Sequence, residues 1–281
     1  MRMLDEELAQ INRVIQKRPL YKEALSTYRG VIGLLKGVEP ELPDLSEDDE
    51  VADIKIKEGF PLFARQDLPL DLKAAASIFP RLLEHLSSQK REDRPALEKA
   101  LQAVRTDPHS IEHVIGAFLS MDEKEIVAIA EQWNLDPMVL KFVTAMALKP
   151  SLNALRKAVS GRIQTGKWQY GYCPLCGSSP DIACLDEEGR RLLHCELCGH
   201  EWRYPRLKCP FCGNDESDTL GYFTSEEEAG FRVDFCRKCE VYIKTLDKRM
   251  VESPAPLELE NLITLHLDML AHEQGFKTYH S

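Results

Sequence analysis

Cys173-Pro174-Leu175-Cys176-Gly177, Cys195-Glu196-Leu197-Cys198-Gly199, Cys209-Pro210-Phe211-Cys212-Gly213 and Cys236-Arg237-Lys238-Cys239-Glu240 repeat one device, two thiols separated by two residues. At that spacing both sulfurs can reach a single ion at about 2.3 Å while the turn between them curls back. One such pair supplies half a tetrahedron, so pairs must come in twos. Eighteen residues separate Cys176 from Cys195, and 23 separate Cys212 from Cys236. Each gap suits a strand, a turn and a returning strand, as in a zinc ribbon or rubredoxin-like unit. The spacing predicts two metal ions in four-cysteine sites, one on Cys173, Cys176, Cys195 and Cys198, the other on Cys209, Cys212, Cys236 and Cys239. Glycine after three of the pairs supplies the left-handed conformation that points backbone N–H groups at the sulfurs. Glu240 stands where the fourth glycine is expected, so that turn is open to a different form.

Other uses of the pairs are weighed against this one. A dithiol redox centre needs its first thiol at a helix start after a strand of a βαβ unit, and no such alternation surrounds Cys173 or Cys209. A cross-braced arrangement, pairs one and three sharing an ion, remains open, although the ten residues between Cys198 and Cys209 are long for it. Unpaired Cys184, in Ile182-Ala183-Cys184-Leu185, reads as a small buried hydrophobe on a ribbon strand. His194 and His200 flank a pair that four thiolates already complete, so they read as neighbours of the site rather than ligands. The acid runs Asp186-Glu187-Glu188 and Glu226-Glu227-Glu228 read as exposed ribbon tips.

Outward from the cysteines the chain changes character. All nine cysteines of the 281-residue chain lie between Cys173 and Cys239, a clustering that in a reducing compartment indicates metal binding rather than disulfides. The amino-terminal part repeats apolar residues at helical spacing: Leu4, Leu8, Ile11 and Ile15, then Leu25, Tyr28, Ile32 and Leu35. Gly37–Glu50, with two prolines and the acids of Ser46–Glu50, reads as a solvated linker, and Ile54-Lys55-Ile56-Lys57 as an extended alternation ending at Gly59-Phe60-Pro61. Asp71 caps an expected helix from Leu72 to Ser88, and Pro95 suits the first turn of the next. Further helices are predicted over Ser110–Leu119, Asp122–Trp133, Asp136–Leu148 and Ser151–Ile163. The character changes around Gln164–Trp168. After Pro256 one last helix is expected, carrying Leu259, Leu262, Ile263, Leu265, Leu267 and Leu270 and ending near Gly275. The fold class is thus α+β: a helical domain over 1–166, a first four-cysteine metal module over 167–205, a second over 206–250, and a carboxy-terminal helix and tail over 251–281.

Function is bounded by what these residues can do. A closed tetrathiolate site leaves no position for water or substrate, and the chain has no glycine-rich phosphate loop, nucleophile elbow or His-Glu-x-x-His. No catalytic and no organic-cofactor residue is therefore named, and a conventional enzyme is not expected. Zinc at these sites would hold a thin β module together; iron would give a one-electron centre. The formal net charge is −10, the ribbon region carries more acids than bases, and eight thiolates outweigh two divalent ions. Such a surface is a poor clamp for nucleic acid, so no nucleic-acid partner is expected and a protein partner is the default. No stretch approaches the roughly 18 unbroken apolar residues of a spanning helix, and acids in the first residues do not suit a secretory signal. The expectation is a soluble cytoplasmic protein without membrane insertion; the oligomeric state is not legible.

The residues also carry a resemblance. Tyr172–Pro180, Leu193–Trp202, Arg206–Gly213, Cys236–Lys244 and Leu267–Phe276 resemble the formate dehydrogenase accessory protein FdhE family, in detail over about the last hundred residues and in length and helical character before them. The resemblance implies an accessory or maturation factor required for formate dehydrogenase activity. It implies a helical domain with rubredoxin-like metal modules, iron as the metal, and contact with the catalytic subunit in the cytoplasm. It carries metal ligation to the eight paired cysteines only. The alternative reading is a zinc-ribbon adaptor in transcription or translation.

Overall fold

The computed structural model describes residues 2–45, 49–163, 168–226 and 228–279. The chain divides into two compact units, one of Met1–Leu45 with Arg65–Lys157, the other of Ser46–Ala64 with Ala158–Ser281. A helical region is followed by a sheet region and then by carboxy-terminal helices.

The first unit consists of α1 (Arg2–Lys17), α2 (Lys22–Leu35), then, after Ser46–Ala64 with α3 (Asp49–Lys57), α4 (Leu72–Ser87), α5 (Arg94–Thr106), α6 (His109–Leu119), α7 (Glu123–Trp133) and α8 (Pro137–Ala158). The periodic residues do what their spacing demands. Leu25, Ile32 and Leu35 of α2 and Ile78, Phe79, Leu82 and Leu83 of α4 are fully buried, each apolar stripe packing on the next. Asp71 caps α4, its Oδ1 accepting from the Ala74 N–H at 3.0 Å, and Asp122 caps α7 through the Glu125 N–H. Pro95 lies in the first turn of α5.

Two expectations fail here. The breaks expected between 148 and 151 do not occur: α8 runs unbroken through Pro150. Met146 to Leu152 are all buried, so packing on every side outweighs the one backbone bond that proline cannot donate. Lys149, in the same stretch, is satisfied by Glu7 at 3.3 Å and by the Tyr28 hydroxyl. The alternation Ile54–Lys57 is not extended but forms the end of α3. Ala52 and Ile56, four apart, are buried while Ile54 is exposed. The helix stops at Gly59, φ +83°, with the Phe60 N–H reaching Lys55 O at 2.8 Å and the Gly59 N–H reaching Ile56 O, the left-handed stop of a Schellman turn. Of the expected linker, Ser46–Asp48 lies outside the described residues, as does Gln164–Lys167 at the expected change of character.

The second unit is built on one six-stranded sheet, of order β3-β2-β1-β6-β5-β4. The strands are β1 (Pro180–Leu185), β2 (Arg191–Cys195), β3 (Glu201–Arg203), β4 (Leu220–Phe223), β5 (Phe231–Cys236) and β6 (Val241–Asp247). Each ribbon is an antiparallel meander, and a parallel pairing of β1 with β6, Ile182 opposite Lys244 through Leu185 opposite Asp247, joins them. The two ribbons thus share a continuous ladder. Both faces of β1 and β6 are buried: Ile182–Leu185 of β1 is an apolar run, whereas β6 buries Lys244 and Thr245 with polar partners, Asp268 and Asp234.

One face carries Ile182, Cys184, Val233, Tyr242 and Leu246, buried against Leu257, Leu267 and Ala271. Those last residues come from two helices, not one: α9 (Leu257–Leu262) and α10 (Leu265–Glu273). The expected single helix breaks at Ile263–Thr264, where the buried Thr264 hydroxyl donates to Glu260 O at 2.7 Å, a local bond that competes with the helix. Leu265 is consequently half exposed. Lys244, almost wholly buried, donates to Asp268 Oδ2 at 2.7 Å and Asn261 O at 2.8 Å, and the Tyr242 hydroxyl donates to Asp268 Oδ1. This network ties both helices to β6. Glu228, expected at an exposed tip, is buried and stands 3.1 Å from His266 Nε2; Glu226 is exposed and Glu227 lies outside the described residues.

Candidate metal centres

Each ribbon places its cysteines in the same way. The first pair of each precedes a strand, the second closes the returning strand, so the β1–β2 and β4–β5 hairpins bring the pairs face to face. Pairs one and two meet, and pairs three and four meet; the cross-braced arrangement is not the one adopted. In the first group Cys173 Sγ lies 3.6 Å from Cys198 Sγ, and Cys176 Sγ lies 3.5 Å from Cys195 and 3.6 Å from Cys198. In the second, Cys209–Cys239 and Cys212–Cys236 are each 3.7 Å apart. A tetrahedron with bonds of about 2.3 Å has sulfurs about 3.8 Å apart. No cysteine is in a disulfide. The donor set and its dimensions fit a tetrahedral thiophilic ion.

The turns are alike in all four pairs. The N–H of the residue after the second cysteine returns to the carbonyl of the first: Gly177 to Cys173 at 2.9 Å, Gly199 to Cys195 at 3.1 Å, Gly213 to Cys209 at 3.0 Å, Glu240 to Cys236 at 2.8 Å. The fourth turn therefore does not differ. Glu240 adopts φ +60° beside +76°, +66° and +71° for the glycines. The Leu175 N–H points at Cys173 Sγ at 3.4 Å, the Cys198 N–H at Cys195 Sγ at 3.5 Å, and the Asn214 amide at Cys236 Sγ at 3.5 Å. Such donors favour the thiolate over the thiol.

The surroundings of the two groups differ. All four cysteines of the first are buried, whereas in the second Cys212 is exposed and Cys239 half-buried. A segment that sequence reasoning did not connect to the site explains the first. The Leu62 N–H donates to Pro174 O at 2.8 Å and the Phe63 N–H to Leu175 O at 3.0 Å, so the strap after α3 lies along the first knuckle. The Tyr172 hydroxyl donates to Gly59 O at 2.6 Å, and Trp168, Tyr170 and Tyr172 pack ring to ring beside it. Gly59, Pro61 and Tyr172 were the available signals, but nothing in their spacing says they meet.

The remaining candidates fall into place around the sulfurs. Cys184 is fully buried in the helix-facing core, where burial pushes its thiol up to about 11, as a small hydrophobe. His194 is no ligand of this arrangement: its Nδ1 lies 2.8 Å from Asp181 Oδ1, and Asp181 in turn accepts from Asn261. Burial works to lower the His194 pKa, and the Asp181 charge and hydrogen bond outweigh it and raise it. His200 contributes its carbonyl, which accepts from the Cys195 N–H. No helix among the described residues is long and apolar enough to cross a membrane.

Comparison with known proteins follows the same residues. A family model described as FdhE, central domain, matches residues 172–206, the first knuckle pairs and their strands. The chain is 35% identical over 164 residues to a protein FdhE homolog from Aquifex aeolicus, covering 56% of this chain and 57% of that protein. A protein FdhE homolog from Shewanella oneidensis is 35% identical over 113 residues, 38% of this chain and 36% of the relative. One from Serratia proteamaculans is 30% identical over 224 residues, 74% and 66% of the two chains. The chain thus spans little more than half the length of the first of these relatives, and about a third of the second. The crystal structure of the FdhE protein from Pseudomonas aeruginosa superposes with a TM-score of 0.67 over 98% of this chain and 92% of that one, at 24% identity. That likeness speaks to the fold alone.

Proposed function

Because the chain belongs to the FdhE family, we propose that it is an accessory factor required for formate dehydrogenase activity, which binds that enzyme's catalytic subunit in the cytoplasm and performs no formate chemistry itself. The observation that carries this reading is the pair of closed four-cysteine groups on one continuous sheet. We assign Cys173, Cys176, Cys195 and Cys198 to one ion and Cys209, Cys212, Cys236 and Cys239 to the other, iron or zinc. Zinc would hold the two ribbons rigid, and iron would add a one-electron centre. The chain's own part is to fix the tetrahedron: hairpins set the sulfur positions, the four turns aim N–H groups at them, and the Leu62–Phe63 strap keeps water from the first group. Four thiolates fill each coordination sphere, which suits a scaffold rather than a hydrolytic centre.

The test combines three measurements. Metal analysis of protein purified without air should give about two ions per chain, the capacity of two tetrathiolate sites. Deleting the gene should lower formate dehydrogenase activity while other pterin enzymes keep theirs. Anaerobic pull-down should recover the catalytic subunit. Normal activity in the deletion strain, with nucleic acid or polymerase recovered instead, would replace this reading with a zinc-ribbon adaptor.

A further inference from the structure

The face of the sheet opposite α9 and α10 is unlike the helix-covered one. Register places Arg191, opposite Leu185, and Arg232, Asp234 and Ile243 on this face, and the strap from Arg206 to Phe211 runs along a cavity there of about 430 Å³. That volume lies within the range of small-molecule sites, roughly 300–1,000 Å³. Its wall carries four cations, Arg191, Arg206, Lys208 and Arg232, with one carboxylate, Asp234, and two cysteines of the second group, Cys209 and Cys236. Asp234 is already engaged by Arg232 at 3.0 Å and by the Thr245 hydroxyl.

Arg191 is the informative residue. It is 3% exposed, and only its Nη1 is directed to a protein acceptor, Lys208 O at 3.2 Å. Its Nε and Nη2 are buried, and among the described residues no atom accepts from them. A buried guanidinium with two unmet donors is costly, because each has lost water without replacement. A role in offsetting the charge of the second cysteine group does not account for this: Cys209 and Cys236 border the cavity, yet neither sulfur accepts from those nitrogens. Two parallel N–H donors on one edge of a planar fork match two oxygens of a carboxylate or phosphate.

We infer that this cavity is a binding site for a phosphate group, free or as a small ester, received by the Nε and Nη2 donors of Arg191 and supported by Arg206 and Lys208. Phosphate is favoured over carboxylate by the number of donors: Arg206, Lys208 and Arg232 line the same wall as the Arg191 fork and can serve further oxygens that a carboxylate lacks. Tyr222, largely exposed and with Arg232 stacked 4.9 Å from its ring centre, leaves an aromatic edge at which the organic part of an ester can lie. The inference does not rest on the accessory role proposed above.

Calorimetric titration of the metal-loaded full chain with inorganic phosphate and with adenosine monophosphate tests it, acetate serving as the carboxylate control. Saturable binding of phosphate or of the nucleotide is expected, the two arms separating free phosphate from ester. Arg191→Met should weaken binding by about tenfold or more, the worth of charge-assisted hydrogen bonds. Should Arg191→Met fail to fold or to retain metal, the exposed Arg206→Gln decides, with an expected loss of about fivefold at unchanged metal content. Absence of saturable binding, equal affinity in the folded variants, or acetate binding as tightly as phosphate would overturn the assignment.

Discussion

Glu240 occupies a backbone conformation that the three equivalent positions give to glycine, and its carboxylate lies 3.8 Å from Lys277 Nζ on the surface. A side chain in the left-handed region costs about 1 kcal/mol, partly offset because glycine loses more freedom on folding. Glu240→Gly should therefore stabilise the chain by about 0.5 kcal/mol, read as a higher urea midpoint at unchanged metal content; a lower midpoint would show that the glutamate supports the knuckle. The cysteines divide similarly by environment. With Cys212 exposed and Cys239 half-buried, against four buried sulfurs in the other group, a chelator should remove metal in two phases. The fast phase should vanish in a Cys209→Ser, Cys212→Ser double variant; a fast phase that persists there would assign it to the wrong group. Asp71 gives a pH-dependent case. The Ala74 and then the Glu41 N–H donate to its carboxylate and hold its pKa below the ordinary value. A depressed carboxylate contributes stability above its unfolded pKa of about 3.9 and loses it as pH falls through the folded value. Asp71→Ala should cost about 1 kcal/mol at pH 7 and progressively less below about pH 4, measured as the difference in helix melting between variant and parent at each pH. The cap was legible from Asp71 standing before an apolar helical stripe. The fourth turn was not, because a left-handed glutamate is fixed by the return of its N–H to Cys236 rather than by its own preference.

Among elements, those set by local rules were the readable ones. Helices α4 to α7 and the order of knuckles along each ribbon follow from caps, periodicity and Cys-x-x-Cys spacing, all of which act within a few residues. Elements decided by distant partners were not. Pro150 does not end α8 because burial of its neighbours prevails, α3 takes its helical form with Ala52 and Ile56 buried together, and the break between α9 and α10 depends on a threonine hydroxyl. The joining of the ribbons through β1 and β6 is likewise a long-range event that no local pattern announces. The helix-to-sheet network gives this scale its prediction. Removing Asp268 as alanine leaves the Lys244 charge buried and the Tyr242 hydroxyl unpaired, at a cost of about 3 kcal/mol. The double change Lys244→Met with Asp268→Leu removes both charges and should recover most of that loss, leaving about 1 kcal/mol for the tyrosine. Chemical denaturation of the parent and the two variants measures it, and equal destabilisation by the single and the double change would refute the account.

For the whole molecule, the notable fact is that sequence order and spatial grouping disagree. Ser46–Ala64 belongs to the unit of the ribbons although helices of the other unit flank it on both sides. A fragment of residues 158–281 accordingly lacks the strap over the first knuckle. It should release metal from the first group faster than the full chain does, while the second group keeps its rate, since the strap's hydrogen bonds go to the first knuckle; an unchanged rate at the first group would show that the strap is only a passenger. Cys173→Ser with Cys176→Ser should lose one ion and leave the helical circular dichroism of the first unit largely intact, since no ligand lies in it. The interleaving also bears on how the chain is made. The strap leaves the ribosome more than a hundred residues ahead of Pro174 and Leu175, the carbonyls it will meet. At about 5–20 residues per second that lead is on the order of ten seconds. Through that interval Leu62, buried in the finished protein, is without its partner. The first four-cysteine group therefore closes late in synthesis, after α4 to α8 have emerged, and a nascent chain stalled before Cys173 presents an apolar strap to whatever chaperone stands at the tunnel exit.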